Sequence, residues 1–200
     1  KRIKFFSKKE IEKKLNFKFD KKNIIFTLHP ETSGDDKLEQ KIKPILDSLK
    51  KLDDTKIIFT VPNIDIGNKK IFKIINHFHK QNKKKSLLIR SMGQKLYFST
   101  LKFIDLVIGN SSSGIIEVPS FNIPSINLGK RQLGRISPNS VIHCKFDKKE
   151  FERKLKISLS KNFTKRINKM KNPYFRKNTI KNMIKIMKRI NFEKGIQKIF

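Results

Sequence analysis

The sequence predicts an α/β protein in which a parallel β-sheet is covered by helices on both faces. Short, continuous apolar runs rich in Ile, Val and Phe alternate with longer segments whose apolar residues recur at helical spacing. The connections between them are short, which is typical of strand–helix units with parallel strands. Because the strand runs are continuous rather than alternating, both faces of the sheet are expected to be buried.

Each predicted strand is a short apolar run that ends in a polar or Pro-containing turn. The first run, NIIFTL, lies between a Lys-Lys pair and His-Pro, and the second, KIIFT, ends at Val-Pro-Asn. The six predicted strands span residues 23–28, 56–60, 86–89, 105–109, 124–128 and 140–143.

The predicted helices lie between these strands and beyond the last of them. In the first, Leu38, Ile42, Ile45 and Leu49 recur at helical spacing after two acidic residues that suit a first turn. A short helix containing Ile115 is expected to end at Pro119. The predicted helical segments are 33–51, a segment from residue 68, 93–104, 115–118, 151–160, and one or two Lys-rich helices from 174 to the end.

The length of 200 residues suits about one domain with additions at its ends. Residues 1–20 are interpreted as a linker or a short lead-in helix, 21–175 as the sheet domain, and 176–200 as a Lys-rich C-terminal helix. Because residue 1 is Lys rather than Met, we expect the chain to be a piece of a longer protein, with the linker leading in from a preceding domain.

The net charge of +31 raises the question of a nucleic-acid partner. The excess is concentrated at the ends, since residues 146–200 alone carry 18 basic and 4 acidic side chains. It consists of 40 Lys and only 8 Arg, whereas nucleic-acid recognition relies on Arg. We therefore favour a compositional bias that places Lys on solvated faces, and do not expect nucleic acid as a partner. Weak, salt-dependent binding of polyanions by the basic ends stays open.

Composition also excludes several classes of protein. A single cysteine, Cys144, excludes a disulfide framework or a multi-Cys metal site and suits a reducing compartment, so we expect a cytoplasmic protein. No apolar run approaches the roughly 18 residues of a membrane span, and no membrane partner is expected. His77 and His79 have no third ligand nearby, so neither a metal nor a cofactor is expected.

The richest polar loop follows the fourth predicted strand. It is Gly109–Gly114, with hydroxyls at Ser111, Ser112 and Ser113. Ligands collect at the carboxyl ends of parallel strands, and the free amides of a following helix attract anions. The sequence therefore predicts a phosphate site here, although a Ser N-cap with a flexible turn stays open. The loop is not a Walker A motif, because no Gly-Lys-Ser/Thr is present.

Three other strand ends carry polar residues: Leu28–Thr32 after the first strand, Val61–Asp65 after the second and Lys130–Arg135 after the fifth. All four loops should meet at one edge of the sheet. His29 follows the first strand and could bind an anion or transfer a proton, although a capping or surface role is the alternative. Arg131 and Arg135 follow the fifth strand and suit a phosphate or a carboxylate. The carboxylate of Glu117, beside the serine loop, could accept both hydroxyls of a ribose or lie exposed.

Four segments together resemble a known family: LHPET, VPNID, the run SMGQKLYFSTLKFIDLVIGNSSSGIIEVPSFNIPSINLGKRQLGR, and NPY at 172–174. Over roughly residues 5–175 the chain resembles the C-terminal half of hydrolysing UDP-N-acetylglucosamine 2-epimerases of the sialic-acid pathway. The resemblance implies a Rossmann-like, UDP-binding domain, the C-terminal one of a two-domain glycosyltransferase-B-like fold. The family often has NPYG, whereas Phe175 stands in place of that Gly, which puts the turn into the last helix in doubt.

The resemblance also implies roles for individual residues. Glu117 matches the ribose-binding Glu, Arg131 the Arg near the diphosphate, and His29 the catalytic His at the cleft. Ser111–Ser113 match the phosphate loop. The remaining matches are Asn63 in the PN loop, and Gly93 and Tyr97 beside the uracil.

The implied reaction eliminates UDP across C1–C2 of UDP-N-acetylglucosamine and then adds water, giving N-acetylmannosamine. The groups that move the proton at C2 are expected from the N-terminal domain, so the chain alone is expected to be inactive, and the full-length enzyme to be a homo-oligomer. Two alternatives stay open: a glycosyltransferase of the same fold, and a basic polyanion-binding α/β domain.

Overall fold

The computed structural model describes residues 4–30, 38–61 and 68–190, with Leu38 described for its backbone only. Its centre is a sheet of six parallel strands, which confirms the predicted fold class. The strands are β1 Lys22–Thr27, β2 Thr55–Thr60, β3 Ser86–Ile89, β4 Leu106–Gly109, β5 Ser125–Leu128 and β6 Val141–Cys144.

Helices follow or precede the strands as the sequence predicts. They are α1 Lys8–Leu15, α2 Leu38–Lys50, α3 Asn68–Gln81, α4 Gly93–Leu101, α5 Ser113–Ile116, a 3₁₀ helix Val118–Phe121, α6 Lys148–Ser158, α7 Lys161–Ile167 and α8 Thr179–Met187. No helix in the described ranges is long and apolar enough to cross a bilayer.

The strand order is β3-β2-β1-β4-β5-β6, the order of Rossmann sheets. The chain runs outward from β1 to β3, and then crosses back through α4 to place β4 beside β1. Consequently the loops that follow β1 and β4 leave the sheet side by side and diverge. Such a switch point is where open α/β sheets bind ligands.

Two apolar clusters cover the two faces of the sheet, as the continuous strand runs predicted. On one face Ile24 and Phe26 pack with α2, α3 and α6. On the other, Ile25 packs with α1 and α4. This alternation follows from the two-residue repeat of a strand. Each of these three strand side chains is fully buried.

Residues 1–20 contain a helix rather than only a linker. Ser7 and Glu10 form a reciprocal capping box at the start of α1. The helix then buries Ile11 and Leu15 in the same core as α4. The three-part division of the chain at residues 20 and 175 stays a prediction.

Several predicted helix boundaries are wrong, each for a local reason. The short helix does not end at Pro119: α5 ends at Ile116, and Pro119 lies in the first turn of the 3₁₀ helix, where its missing N–H has no partner to lose. The helix predicted over 151–160 begins three residues earlier, because Asp147 caps it by accepting from the Glu150 N–H. Ser160 then caps a separate helix, α7, which the spacing did not indicate.

Candidate functional site

The site is built on the close approach of β1 and β4 at their carboxyl ends. Gly109, the last residue of β4, has φ +135°, and a Cβ placed there would lie 1.7 Å from the Thr27 carbonyl oxygen of β1. Only glycine fits both the conformation and the space. The neighbouring Thr27 and Thr60 hydroxyls, at the ends of β1 and β2, also hydrogen-bond to each other.

Asn110, directly after β4, joins the loops that diverge from this point. Its side chain accepts from the His29 N–H at 2.7 Å and donates to the His29 carbonyl at 2.8 Å. Its own backbone N–H donates to the Thr27 carbonyl at 3.1 Å. The residue is fully buried. The position of His29 relative to the serine loop is therefore fixed by a reciprocal pair of hydrogen bonds.

The loop after β5 is tied to the same residue. The Arg131 Nη1 donates to the Asn110 carbonyl oxygen at 3.1 Å, and the buried Gln132 Nε2 donates to the same oxygen at 2.8 Å. Arg131 thereby lies close to His29. Partial burial, and then the Arg131 charge, lower the pKa of His29 below its usual 6.5. His29 is consequently neutral near pH 7.

The three serines between β4 and α5 make different contacts. The Ser111 Oγ accepts from the Ser113 N–H at 3.4 Å, and the Ser113 Oγ shares a hydrogen bond of 2.7 Å with the Tyr97 hydroxyl of α4. Ser112 occupies the N-cap position of α5 without making a side-chain cap bond. Capping therefore does not explain the Ser112 hydroxyl.

The helix after this loop is too short to contribute a large dipole. Helix α5 has 4 residues, and the macrodipole arises from aligned peptides over several turns. From the sequence, an anion was expected to be attracted to the start of this helix. In the structure the Arg131 guanidinium and the serine hydroxyls are the stronger groups for an anion.

Helix α4 lines the other side of the serine loop. It begins at Gly93, which has φ +63° and is exposed, and whose N–H donates to the Ser91 Oγ at 3.2 Å. Burial, together with the nearby Glu117 charge, raises the pKa of Tyr97 to about 12 despite the Ser113 hydrogen bond. Tyr97 is therefore a neutral hydrogen-bonding group at any physiological pH.

Glu117 lies between α5 and the 3₁₀ helix and is half-buried. Its backbone is fixed, since its N–H donates to the Ser113 carbonyl at 3.0 Å and its carbonyl accepts from the Ser120 N–H at 3.0 Å. Within the described ranges, no hydrogen bond reaches its carboxylate. The acid is thus held in place by its backbone with its oxygens available.

Of the predicted residues that the structure describes, Arg135 is not drawn into this cluster. Arg135 is exposed, and among the described residues the contact it makes is the one from its backbone N–H to the Gln132 carbonyl at 3.3 Å. Asn63 lies outside the described residues. The structure brings these predicted residues together around Asn110 and the serine loop: His29, Tyr97, Ser111, Ser112, Ser113, Glu117 and Arg131. Gly93 lies about one helical turn before Tyr97, at the start of α4.

Sequence reasoning missed the residues that hold the site together. Asn110 was included only as part of the polar loop Gly109–Gly114, and Gln132 was given no role. The signal for Asn110 was its position, since a polar residue directly after a central strand at the switch point must find partners on the neighbouring loop.

No group of three or more potential metal ligands occurs among the described residues.

A family model described as "UDP-N-acetylglucosamine 2-epimerase" matches residues 2–188. The chain is 37% identical over 142 residues to a Campylobacter jejuni protein named "GDP/UDP-N,N'-diacetylbacillosamine 2-epimerase (hydrolyzing)", covering 71% of this chain and 37% of that protein. It is 33% identical over 169 residues to "Polysialic acid biosynthesis protein P7" of Escherichia coli, covering 84% of this chain and 43% of that protein. The chain thus spans less than half the length of these relatives.

Solved structures show the same fold. A co-structure of S. aureus MnaA with UDP superposes with a TM-score of 0.71 at 16% identity, covering 97% of this chain and 51% of that one. A UDP-N-acetylglucosamine 2-epimerase from Methanocaldococcus jannaschii, in complex with UDP-GlcNAc and UDP, gives a TM-score of 0.65 at 20% identity, covering 90% and 48%. The resemblance seen in the sequence motifs is confirmed: the chain belongs to the UDP-N-acetylglucosamine 2-epimerase family.

Proposed function

We propose that this chain is the nucleotide-binding half of a hydrolysing 2-epimerase that converts UDP-N-acetylglucosamine and water to N-acetylmannosamine and UDP. One observation carries the proposal: in a chain of this family, Asn110 gathers a cation, a neutral histidine and a hydroxyl loop at the switch point of the sheet. These are the groups that a nucleoside diphosphate needs.

The diphosphate is assigned to the Arg131 guanidinium and to the hydroxyls of Ser111–Ser113. Hydrogen bonds from a charged donor are the stronger kind, and Arg131 already lies at the mouth of the serine loop. Arg135, which is exposed in the same loop, is assigned a weaker and more distant attraction to the same charge.

The nucleoside is assigned to the other side of the loop. The Glu117 carboxylate accepts from the two ribose hydroxyls, a bidentate arrangement that a carboxylate suits. Gly93 and Tyr97 at the start of α4 lie beside the uracil, where the exposed glycine lets a ring approach the backbone. Asn63, which follows β2 in the sequence, is assigned to the same cleft by its family match.

The reaction is an elimination followed by a hydration. A base removes the C2 proton while the C1–O bond to the β-phosphate breaks, and its electron pair leaves with UDP, which gives a glycal. Water then adds OH at C1, and a proton returns to C2 from the opposite face. Arg131 and the serine hydroxyls stabilise the charge of the departing UDP, and neutral His29 can donate a hydrogen bond to it. Proton transfer at C2 is assigned to groups beyond the described residues.

The names of the relatives indicate the kind of biosynthetic pathway in which this activity is used. A diacetylbacillosamine 2-epimerase and a polysialic acid biosynthesis protein are among the curated relatives matched. We therefore infer that the product feeds synthesis of a nonulosonic acid such as sialic acid, in the cytoplasm. The name of the Campylobacter protein also includes GDP-linked and diacetamido sugars, so these are the substrates to compare with UDP-N-acetylglucosamine.

Calorimetry with UDP, UMP and ADP tests the nucleotide site on this chain. UDP should bind weakly, with UMP and ADP weaker still, because UMP lacks the second phosphate and ADP carries the larger base. Equal binding of the three nucleotides, with a steep salt dependence, would instead support the polyanion-binding alternative. The chain alone should release no N-acetylmannosamine from UDP-N-acetylglucosamine.

A further inference from the structure

The segment Asn172–Tyr174, between α7 and α8, bridges two parts of the site that are distant in sequence. The Asn172 Nδ2 donates to the Ile116 carbonyl at 2.8 Å and to the Ser120 Oγ at 2.6 Å. The Tyr174 hydroxyl donates to the Ile136 carbonyl at 2.9 Å. No role has so far been assigned to this segment, although it is one of the four that carry the family resemblance.

The Asn172 contacts lie on both sides of Glu117. Ile116 is the last residue of α5, so its carbonyl oxygen has no partner further along the helix and requires an outside donor. Ser120 lies in the 3₁₀ helix that follows. No hydrogen bond reaches the Glu117 carboxylate within the described ranges, so the position of that side chain depends on where its backbone lies, and Asn172 holds the residues on both sides of it.

The Tyr174 contact fixes the far end of the loop that carries Arg131. That loop is tied at its beginning, where Arg131 and Gln132 donate to Asn110. At its other end the Tyr174 hydroxyl holds Ile136. The two parts of the segment are coupled, since the Tyr174 N–H donates to the Asn172 Oδ1 at 3.0 Å.

We propose that Asn172 and Tyr174 are positioning residues for the nucleotide: Asn172 aligns Glu117 with the ribose, and Tyr174 holds the Arg131 loop at the diphosphate. The proposal rests on the proposed UDP site. A residue that only stabilised the fold would weaken the binding of every nucleotide alike. Asn172 and Tyr174 should instead each affect recognition of a different part of the nucleotide.

The ribose arm of the test compares UDP with 2′-deoxy-UDP by calorimetry. For the unsubstituted chain, a carboxylate bond to the 2′-hydroxyl predicts a preference for UDP of about 10- to 100-fold. Asn172→Ala should weaken UDP by about 3- to 10-fold and 2′-deoxy-UDP by less than about 2-fold, so the preference falls. Asn172→Asp, which keeps the acceptor for the Tyr174 N–H but loses the donor to Ile116, should lower the preference similarly.

Asn82→Ala is the matched control. The Asn82 Nδ2 also donates to a helix carbonyl, that of Phe78, at 2.8 Å, but it lies before β3, at the opposite edge of the sheet. Both variants should lower the urea midpoint by a similar amount. Only the Asn172 variants should change the ratio of UDP to 2′-deoxy-UDP affinity.

The diphosphate arm uses Tyr174→Phe, which removes one hydroxyl and keeps the ring. The affinity for UDP should fall by about 2- to 5-fold, while that for uridine is unchanged, because only the Arg131 loop is loosened. Asn172→Asp should not reproduce this pattern, since it keeps the acceptor for the Tyr174 N–H and loses the bonds that hold the Glu117 segment.

The outcomes separate the two proposals. If the unsubstituted chain shows no preference for UDP over 2′-deoxy-UDP, the proposed ribose site is wrong. If that preference exists but Asn172→Ala and Asn172→Asp leave it unchanged, or change it no more than Asn82→Ala does, the positioning role of Asn172 is wrong. If Tyr174→Phe weakens uridine as much as UDP, the assignment of Tyr174 to the diphosphate is wrong.

Discussion

Asn110 and Glu117 lie seven residues apart in one connection but use their polar groups in opposite ways. Asn110 is fully buried. Its side-chain amide and its carbonyl hydrogen-bond to neighbouring loops, and its N–H donates to the Thr27 carbonyl at the end of β1. Glu117 is half-buried, and within the described ranges its carboxylate receives no hydrogen bond. Both residues are held in place by hydrogen bonds. Only Glu117 has side-chain oxygens that no hydrogen bond reaches within the described ranges.

This difference separates two groups of polar residues: those that hold the fold together, which we call the scaffold, and those that face a ligand. A buried polar side chain whose bonds are all made to protein stabilises the fold, because its loss leaves partners unsatisfied. A polar side chain that is held in place but has no protein partner costs little to remove and is available to a ligand. Substitutions in the first group should therefore act on stability, and those in the second on nucleotide binding.

Gly109→Ala should have the largest effect on stability. The added Cβ would clash with the β1 backbone at Thr27 and also strain a φ of +135°, so the free energy of unfolding should fall by more than about 4 kcal/mol, or the chain should not fold. Gly134→Ala is the control, since Gly134 also has a positive φ, +81°, but no atom lies within 4 Å of its added Cβ. It should cost about 1–2 kcal/mol. Equal urea midpoints for the two variants would contradict the close approach of β1 and β4.

Asn110→Ala should destabilise the chain while Ser112→Ala does not. Removing the Asn110 amide leaves the N–H and the carbonyl of His29 without partners, which should cost about 2–4 kcal/mol in urea unfolding. Ser112 makes no cap bond with its side chain, so its substitution should stay within about 0.5 kcal/mol and weaken UDP instead. A large loss of stability for Ser112→Ala would place Ser112 in the scaffold.

Arg131→Ala should weaken UDP by about 10- to 100-fold, since a charged donor to the diphosphate is lost. Arg135→Ala should weaken it by only about 2- to 5-fold at low salt, and by nothing measurable at about 0.5 M salt. Both arginines are exposed, but only the Arg131 guanidinium is bonded to Asn110 in the described residues, and a charge without direct contact is screened. Calorimetry of both variants at the two salt concentrations checks this. Equal effects that persist in salt would show that Arg135 contacts the phosphates directly.

Protonation of His29 should have the smallest effect of all, a change in the free energy of unfolding with pH. Because burial and the Arg131 charge lower the folded-state pKa of His29, its neutral form contributes stability that is fully present above the unfolded-state pKa of about 6.5 and is lost as the pH falls from there through the folded-state pKa. Arg131→Gln should raise the His29 pKa, and bound UDP should raise it as well. An NMR titration of the His29 ring protons measures these changes. A His29 pKa at or above 6.5 without ligand would contradict its placement beside Arg131.

Most of the fold could be predicted because it depends on local pattern. The strand runs around Ile24, Ile57 and Ile108 are apolar throughout, and strands buried on both faces require this. Helix ends were less predictable, since they depend on single caps. Asp147 and Ser160 each satisfy helix-start N–H groups with their side chains, and neither bond is implied by apolar spacing.

The candidate site was predicted in outline from loop position and motif, but the contacts that assemble it could not be. The bonds from Asn110 to His29 span 81 residues, and the bond from Asn172 to Ile116 spans 56. Partners so distant depend on which strand ends become neighbours, and that follows from the strand order. Nor could spacing alone distinguish Arg131 from Arg135, because the difference lies in how the loop folds after Gln132.

The central claim, that the connection after β4 binds the ribose and phosphates of UDP, is tested most directly by Glu117→Gln against UDP and 2′-deoxy-UDP. The substitution keeps the shape but removes the charge and presents an NH₂ to a donor. UDP affinity should fall about 10- to 100-fold and 2′-deoxy-UDP affinity much less, while the urea midpoint stays unchanged. If Glu117→Gln instead unfolds the chain and leaves the ratio of UDP to 2′-deoxy-UDP affinity as it was, Glu117 belongs to the scaffold and the ribose assignment is wrong.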